Sequence, residues 1–218
     1  MKKKAAVLAA AVLLCAVWAA GCSETGAKKK AWDASENSIY VADDLSVQSA
    51  MVYTSQKEND LYSAEGLAEF AKKQICSYNE EQGAAAEAEN TEGKEKLRAA
   101  LEKSSLEGKT GTLVFSYATP EDFVRFSEEN GDDTHSVTSL QVLDTDASKL
   151  PDLAYRTASG KSAELSKAGE KKDSHMVLTE GSASVYTEGK ILYVTEGVEI
   201  TSDHSAVTPE GTGCIIFK

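Results

Sequence analysis

Thr110-Gly111-Thr112-Leu113-Val114-Phe115-Ser116-Tyr117-Ala118-Thr119-Pro120-Glu121-Asp122-Phe123-Val124-Arg125-Phe126 is the stretch that decides the fold. In its first half Leu113, Phe115 and Tyr117 recur every second residue, the period of a strand with one buried face. Its second half changes to helix chemistry. Thr119 offers a side-chain oxygen to the free N–H groups of a first turn, and Pro120 stands where its missing N–H is not needed. Glu121 and Asp122 suit the positive end of the helix dipole. Phe123 and Phe126 then share one helical face, and Asn130-Gly131 ends the run. A strand that feeds directly into a capped helix predicts helices packed on a sheet.

The same grammar precedes it. Ser38-Ile39-Tyr40-Val41, a turn at Ala42-Asp43-Asp44, and Val47 to Thr54 read as a hairpin of approximate period two. Leu67, Phe70, Ala71, Ile75 and Tyr78 then fall on one helical face, read as core, with Ser63 as N-cap and Asn79 near the stop. Residues 94–107 carry conflicting signals. Lys94 to Lys103 has helical propensity, with Leu97 and Leu101 four apart, yet Leu106-Glu107-Gly108-Lys109 is a turn before a convincing strand. Residues 101–107 are read as the hairpin partner of Gly111–Tyr117. Strand-strand-helix thus occurs twice over residues 37–143. Between the halves, about residues 82–96 form an acidic insert with no apolar side chain larger than Ala, expected to be disordered.

Beyond a short strand at Val137–Leu143, residues 144–173 are polar and read mainly as a loop-rich connector. The segment 174–218 is β-rich. Thr179-Glu180-Gly181, Thr187-Glu188-Gly189 and Thr195-Glu196-Gly197 recur every eight residues, and Thr208-Pro209-Glu210-Gly211 is a variant. Five-residue strands joined by three-residue turns predict a β meander, packed on the same domain, and three copies are too few for a solenoid. The expected class is α+β: antiparallel strands with two helices, followed by that C-terminal meander.

The chain opens on Met1-Lys2-Lys3-Lys4 and an uncharged apolar run from Ala5 to Ala20, the layout of a signal peptide over residues 1–21. The run is shorter than the roughly 20 apolar residues that a membrane-spanning helix needs. Ala19-Ala20-Gly21-Cys22 has the form of a lipobox, which makes Cys22 the expected lipid-attachment site; the alternative is an ordinary signal peptide cut after Ala20 or Gly21. A diacylglyceryl group supplies two chains, enough for durable anchoring. Residues 22–36 are expected to be a flexible tether, with Lys28-Lys29-Lys30 and Trp32 either facing the headgroups or simply solvated.

The chain of 218 residues has a net charge of −12. Loss of residues 1–21 removes three lysines and no acid, for a mature charge of −15. Nucleic acid is disfavoured as a partner, because phosphate binding depends on Lys and Arg. Cys76 and Cys214 would remain unacylated after export. A disulfide is permitted there, but both have apolar neighbours and are read as two buried free thiols.

The lipobox at Cys22, Glu36-Asn37-Ser38-Ile39-Tyr40-Val41, Ser77-Tyr78-Asn79, Phe115-Ser116-Tyr117-Ala118-Thr119 with Phe123-Val124-Arg125-Phe126, and Gly189-Lys190-Ile191-Leu192-Tyr193-Val194 through Cys214-Ile215-Ile216-Phe217 give the chain a resemblance. It is similar to a family of uncharacterised lipoproteins of clostridia and related Gram-positive bacteria. The resemblance covers most of the mature chain, departs from the family at residues 84–100 and 156–172, and implies a surface location. It carries no activity, substrate or catalytic residue with it.

Chemical motifs fail at named positions. Gly108-Lys109-Thr110 and Gly160-Lys161-Ser162 echo a phosphate-binding loop, but the required earlier glycine is Lys103 in one and Tyr155 in the other. Gly-x-Ser-x-Gly and Ser-x-x-Lys are absent. His135 beside Asp132-Asp133, and His204 beside Asp203, are read as solvated loop residues rather than metal ligands, as is His175 in its polar context. Asp144-x-Asp146 lacks the glycine and distal glutamate of a calcium loop. No catalytic, metal or cofactor site is therefore assigned. The expected function is a membrane-anchored, extracytoplasmic, non-enzymatic binding or structural module, its partners the membrane and an unidentified protein, glycan or small molecule. The alternative is a cell-envelope hydrolase whose carboxylates the sequence does not pair.

Overall fold

A computed structural model describes residues 32, 34–56, 63–170 and 172–218. The elements in chain order are β1 (Ser38–Val41), β2 (Val47–Thr54), α1 (Ala64–Glu81), β3 (Ala99–Glu107), β4 (Thr110–Tyr117), α2 (Pro120–Glu129) and β5 (Ser139–Asp144). They continue with β6 (Tyr155–Thr157), β7 (Ser162–Ala163), α3 (Leu165–Gly169), β8 (His175–Glu180), β9 (Ser184–Thr187), β10 (Ile191–Thr195), β11 (Glu199–Ser202), β12 (Ser205–Val207) and β13 (Thr212–Phe217). The class is α+β, and strand-strand-helix does occur twice before the C-terminal strands. Both helix starts follow from their caps: Ser63 Oγ accepts the Gly66 N–H at 2.9 Å, and Thr119 Oγ1 accepts that of Asp122 at 3.1 Å.

Two sheets result, with strand orders β11-β12-β9-β1-β2-β4-β3 and β5-β8-β13-β10-β6-β7. Every pairing is antiparallel except β1 with β9. The C-terminal strands are dealt to both sheets: β8, β10 and β13 to the second, β9, β11 and β12 to the first. Each Thr-Glu-Gly repeat, and its Thr-Pro-Glu-Gly variant, marks a corner where the chain leaves one sheet for the other. The threonines Thr179, Thr187, Thr195 and Thr208 are all buried at these corners. Thr195 Oγ1 accepts the Cys214 N–H at 2.9 Å, and Thr208 Oγ1 donates to the Gly181 carbonyl at 2.9 Å. Gly181, at φ +102°, passes so close to Ser136 that an added Cβ would lie 2.1 Å from its carbonyl oxygen.

The main core lies between the inner sheet face, the helices and the second sheet. Ile39, Val41, Phe115 and Tyr117 meet Ile75, Tyr78, Phe123 and Phe126, and beyond them Val177, Ile215 and Phe217. Phe126 is central, with ring centroids 5.3 Å from both Tyr78 and Phe115. Burying a side chain of this kind contributes about 1.5–3 kcal/mol. A second cluster covers the other face of the second sheet, with Leu150, Tyr155, Ala168, Met176, Cys214 and Ile216. β13 therefore reads as an unbroken apolar run, because Ile215 and Phe217 face one cluster while Cys214 and Ile216 face the other.

Three expectations are corrected, and the reading of residues 101–107 as the hairpin partner of β4 holds. Phe70 is 60 % exposed rather than core: Ala71, Ile75 and Tyr78 set the inward line of α1, and a neighbour in sequence is rotated by about 100° from it. The connector 144–173 is more structured than a loop, holding a 3-10 turn (Ala147–Lys149), the β6–β7 hairpin and α3. Its strands have three and two residues, too short to show a period. The 82–96 insert lacks helix and strand but follows a fixed, hydrogen-bonded course described below. The strand that closes it begins at Ala99, which resolves the 94–107 conflict. The signal peptide, Cys22 and the tether as far as Ala31 lie outside the described residues. At the tether's end Trp32 stacks on Tyr40 of β1, with centroids 5.1 Å apart and planes 11° apart, so this end is laid on the first sheet.

Candidate functional site

The sequence candidates do not converge. His175 Nδ1 lies 3.0 Å from Asp144 Oδ1, while Asp146 instead accepts from the N–H and hydroxyl of Ser148, which hold its carboxyl below the ordinary range. His204 Nδ1 faces the Thr187 carbonyl at 3.2 Å, and Asp203 pairs with Lys190 at 3.0 Å. The two Gly-Lys motifs are hairpin turns, with Gly108 and Gly160 at φ +61° and +83°. Among the described residues no three His, Cys, Asp or Glu side chains gather to hold a metal. Cys76 is half-buried and Cys214 fully buried, both free thiols. Burial pushes the Cys214 thiol up to about 12, partly opposed by its bond to Tyr155.

His135 and Asp132 do meet, and they are buried rather than solvated. Nδ1 of His135 accepts the Val137 N–H at 3.1 Å, and Nε2 stands 3.6 Å from Asp132 Oδ2 without a hydrogen bond. The ring packs on Phe123 at 4.9 Å. Burial lowers the imidazole pKa, and the Asp132 charge opposes that shift. Asp133 is exposed and takes no part.

Two concavities lie around the 82–96 insert, and Asn79 ties together the segments that form them. This side chain is fully buried at the end of α1. Its Nδ2 donates to the carbonyls of Glu87 at 2.8 Å and Ala99 at 2.9 Å, and its Oδ1 accepts the Ala99 N–H at 2.9 Å. One amide therefore ties the helix end, the insert and the first residue of β3 together. Gly83, at φ +73°, lets the chain turn off the helix. Further ties follow: Leu101 N–H to the Ala88 carbonyl at 2.7 Å, and Leu97 N–H to Asn90 Oδ1 at 3.0 Å. Lys94 reaches Glu87 at 2.9 Å and Lys72 reaches Glu89 at 2.6 Å. The Glu89 hydrogen bond raises the Lys72 pKa.

Two clefts result. The first, of about 430 Å³, lies between α1, the insert and β3; Lys72, Glu89, Asn90, Glu102 and Lys103 line it, and Ser104 Oγ is buried there without a partner among the described residues. The second, of about 320 Å³, lies within the insert and is lined by Gly83, Ala84, Ala85, Lys94, Lys96 and Arg98 among others. Both volumes fall in the range of small-ligand sites. Behind Arg98 lies a buried network: Tyr78 Oη donates to Asp122 Oδ1 at 3.1 Å, Thr119 Oγ1 donates to Oδ2 at 2.7 Å, and Arg98 Nη1 stands 4.0 Å from Oδ2. Burial, then the Asp122 charge, drives the Tyr78 phenol far above its ordinary pKa, so it acts as a fixed donor. The raised carboxylate among the described residues is Glu129, lifted by burial and by Glu81, and it lines neither cleft.

Sequence reasoning missed Asn79 as a clamp, reading it as a helix stop. It also missed the alternation Lys94, Lys96, Arg98, which was visible but lay inside a segment read for helix propensity. No known protein family, curated protein or solved structure matches the chain.

Proposed function

We propose that this chain is a lipoprotein, held at the outer face of a membrane through Cys22, whose folded body is a non-enzymatic binding module. The carrying observation is Ala19-Ala20-Gly21-Cys22 directly after three lysines and an uncharged apolar run. Trp32 is ten residues beyond Cys22, a reach of at most about 35 Å when fully extended. With Trp32 stacked on Tyr40, an anchored tether of that length keeps the first sheet close to the headgroups. The resemblance to uncharacterised surface lipoproteins supports the same location.

The binding face we assign is the pair of clefts at the insert. Their linings are ammonium, guanidinium, carboxylate and amide groups held by Asn79 and two ion pairs. Such a surface fixes a polar ligand by hydrogen bonds on a pre-organised frame. In the test, the chain with Cys22→Ala loses membrane fractionation or stays as an uncleaved precursor, while the native chain retains wall polymers or peptides without altering them. Reproducible turnover, abolished by one Asp, Glu or His substitution, would replace this proposal with the hydrolase alternative. A Cys22→Ala chain that still fractionates as a mature-length acylated species would remove the anchor.

A further inference from the structure

We infer that the cleft within the 82–96 insert binds a phosphate-bearing ligand through Lys96 and Arg98. The inference rests on the binding-module proposal and adds a ligand class to it. Burial alternates along the rim: Leu97 and Ala99 are turned inward, at 5 % and 0 % exposure, while Lys96 and Arg98 are exposed. Lys96 and Arg98, two positions apart in the chain, both line this cleft. The rim is fixed from behind, since the Leu97 N–H is held by Asn90 and the Ala99 N–H by Asn79. Both cationic heads therefore stand on a rigid edge.

Their hydrogen-bond donors are available. Among the described residues Lys96 makes no hydrogen bond or ion pair, although its charge helps to lower the Asp44 pKa. Arg98 is 4.0 Å from Asp122, outside hydrogen-bond distance, so its donor fork remains open to a ligand. Of the two glutamates in the lining, Glu87 is paired through both oxygens with Lys94, which leaves Glu95, Lys96 and the Arg98 guanidinium, itself shared with Asp122, as the remaining charged groups. Gly83, Ala84 and Ala85 complete the lining without adding charge. A planar guanidinium beside a mobile ammonium suits a tetrahedral phosphate, which offers an acceptor to each and can take the guanidinium at two oxygens.

The probe is glycerol 3-phosphate, added to the full-length chain in phosphatidylcholine nanodiscs, with hydrogen exchange of the 83–98 backbone read by mass spectrometry. Expected is saturable slowing of exchange in that segment, at least tenfold weaker in affinity for the Lys96→Gln/Arg98→Gln double variant. Citrate at equal ionic strength is expected to give no protection. Absence of saturable slowing, equal slowing in the variant, or equal protection by citrate each overturns the assignment. Discs containing phosphatidylglycerol separate the sources: competition with the probe supports a lipid headgroup, and its absence supports a soluble phosphate. If polymer retention holds while glycerol phosphate gives no protection, only the phosphate assignment falls. Turnover by the protein would instead remove the binding-module proposal.

Discussion

Replacing Asn79 by Ala tests the clamp that shapes both clefts. The substitution deletes three hydrogen bonds of 2.8–2.9 Å and leaves the N–H and carbonyl of Ala99 without partners at a residue with 0 % exposure. A buried polar group that loses its partner costs about 1–3 kcal/mol. Two such groups give about 2–6 kcal/mol, with the lower part of that range applying if water enters the gap. For a domain of this size each kcal/mol moves Tm by about 2–4 °C. Urea unfolding gives the total, and hydrogen exchange locates it: the Ala99 amide and the 84–96 backbone become fast while α2 and β13 stay slow. Asn79→Asp separates geometry from donors, because it keeps the acceptor for Ala99 N–H but removes the two Nδ2 bonds. A loss below about 1 kcal/mol for Asn79→Ala, with the Ala99 amide still protected, refutes the clamp.

Three further outcomes follow from particular contacts. His135 is held neutral by burial, so its folded pKa lies below the ordinary 6.5 and protonation favours the unfolded chain. Its contribution is present above about pH 6.5 and is lost as pH falls below that value; comparing urea midpoints at pH 7.5 and 5.5 with those of His135→Gln should show the native advantage shrinking, and parallel pH dependences would contradict it. Cys76 should react with iodoacetamide in the native protein far faster than Cys214, which is fully buried with its thiol held at about 12; equal labelling rates would show that β13 is not enclosed. Gly181→Ala places a methyl against the Ser136 backbone at φ +102° and should cost more than about 2 kcal/mol, whereas an unchanged unfolding midpoint would mean that this corner yields freely.

Local chemistry was legible where it repeats or caps. The Thr119-Pro120 start, the period-two run to Tyr117 and the Ser63 cap each needed only neighbours in sequence. The Thr-Glu-Gly spacing was visible too, but its meaning was not: that each copy crosses between sheets depends on β1 receiving β9 in parallel, a pairing between residues far apart in the chain. Phe70 failed because an apolar residue beside a helical stripe satisfies the pattern without facing the core. The insert failed for a different reason. Its composition offers little apolar burial to offset ordering entropy, and what orders it is a set of hydrogen bonds and ion pairs led by one buried amide on α1, whose partners are backbone groups that no side-chain pattern records. The Lys96 and Arg98 pair was hidden similarly, since their alternation gains meaning only once Leu97 and Ala99 are seen to be inward.

The central claim is that the folded body hangs from the membrane by Cys22. Intact-mass and N-terminal peptide measurement of the protein extracted from membranes tests it most directly. The account predicts a chain that begins at Cys22 and carries a diacylglyceryl group on its sulfur, with residues 1–21 gone. A mature protein that begins elsewhere, or whose Cys22 thiol is unmodified, would contradict it.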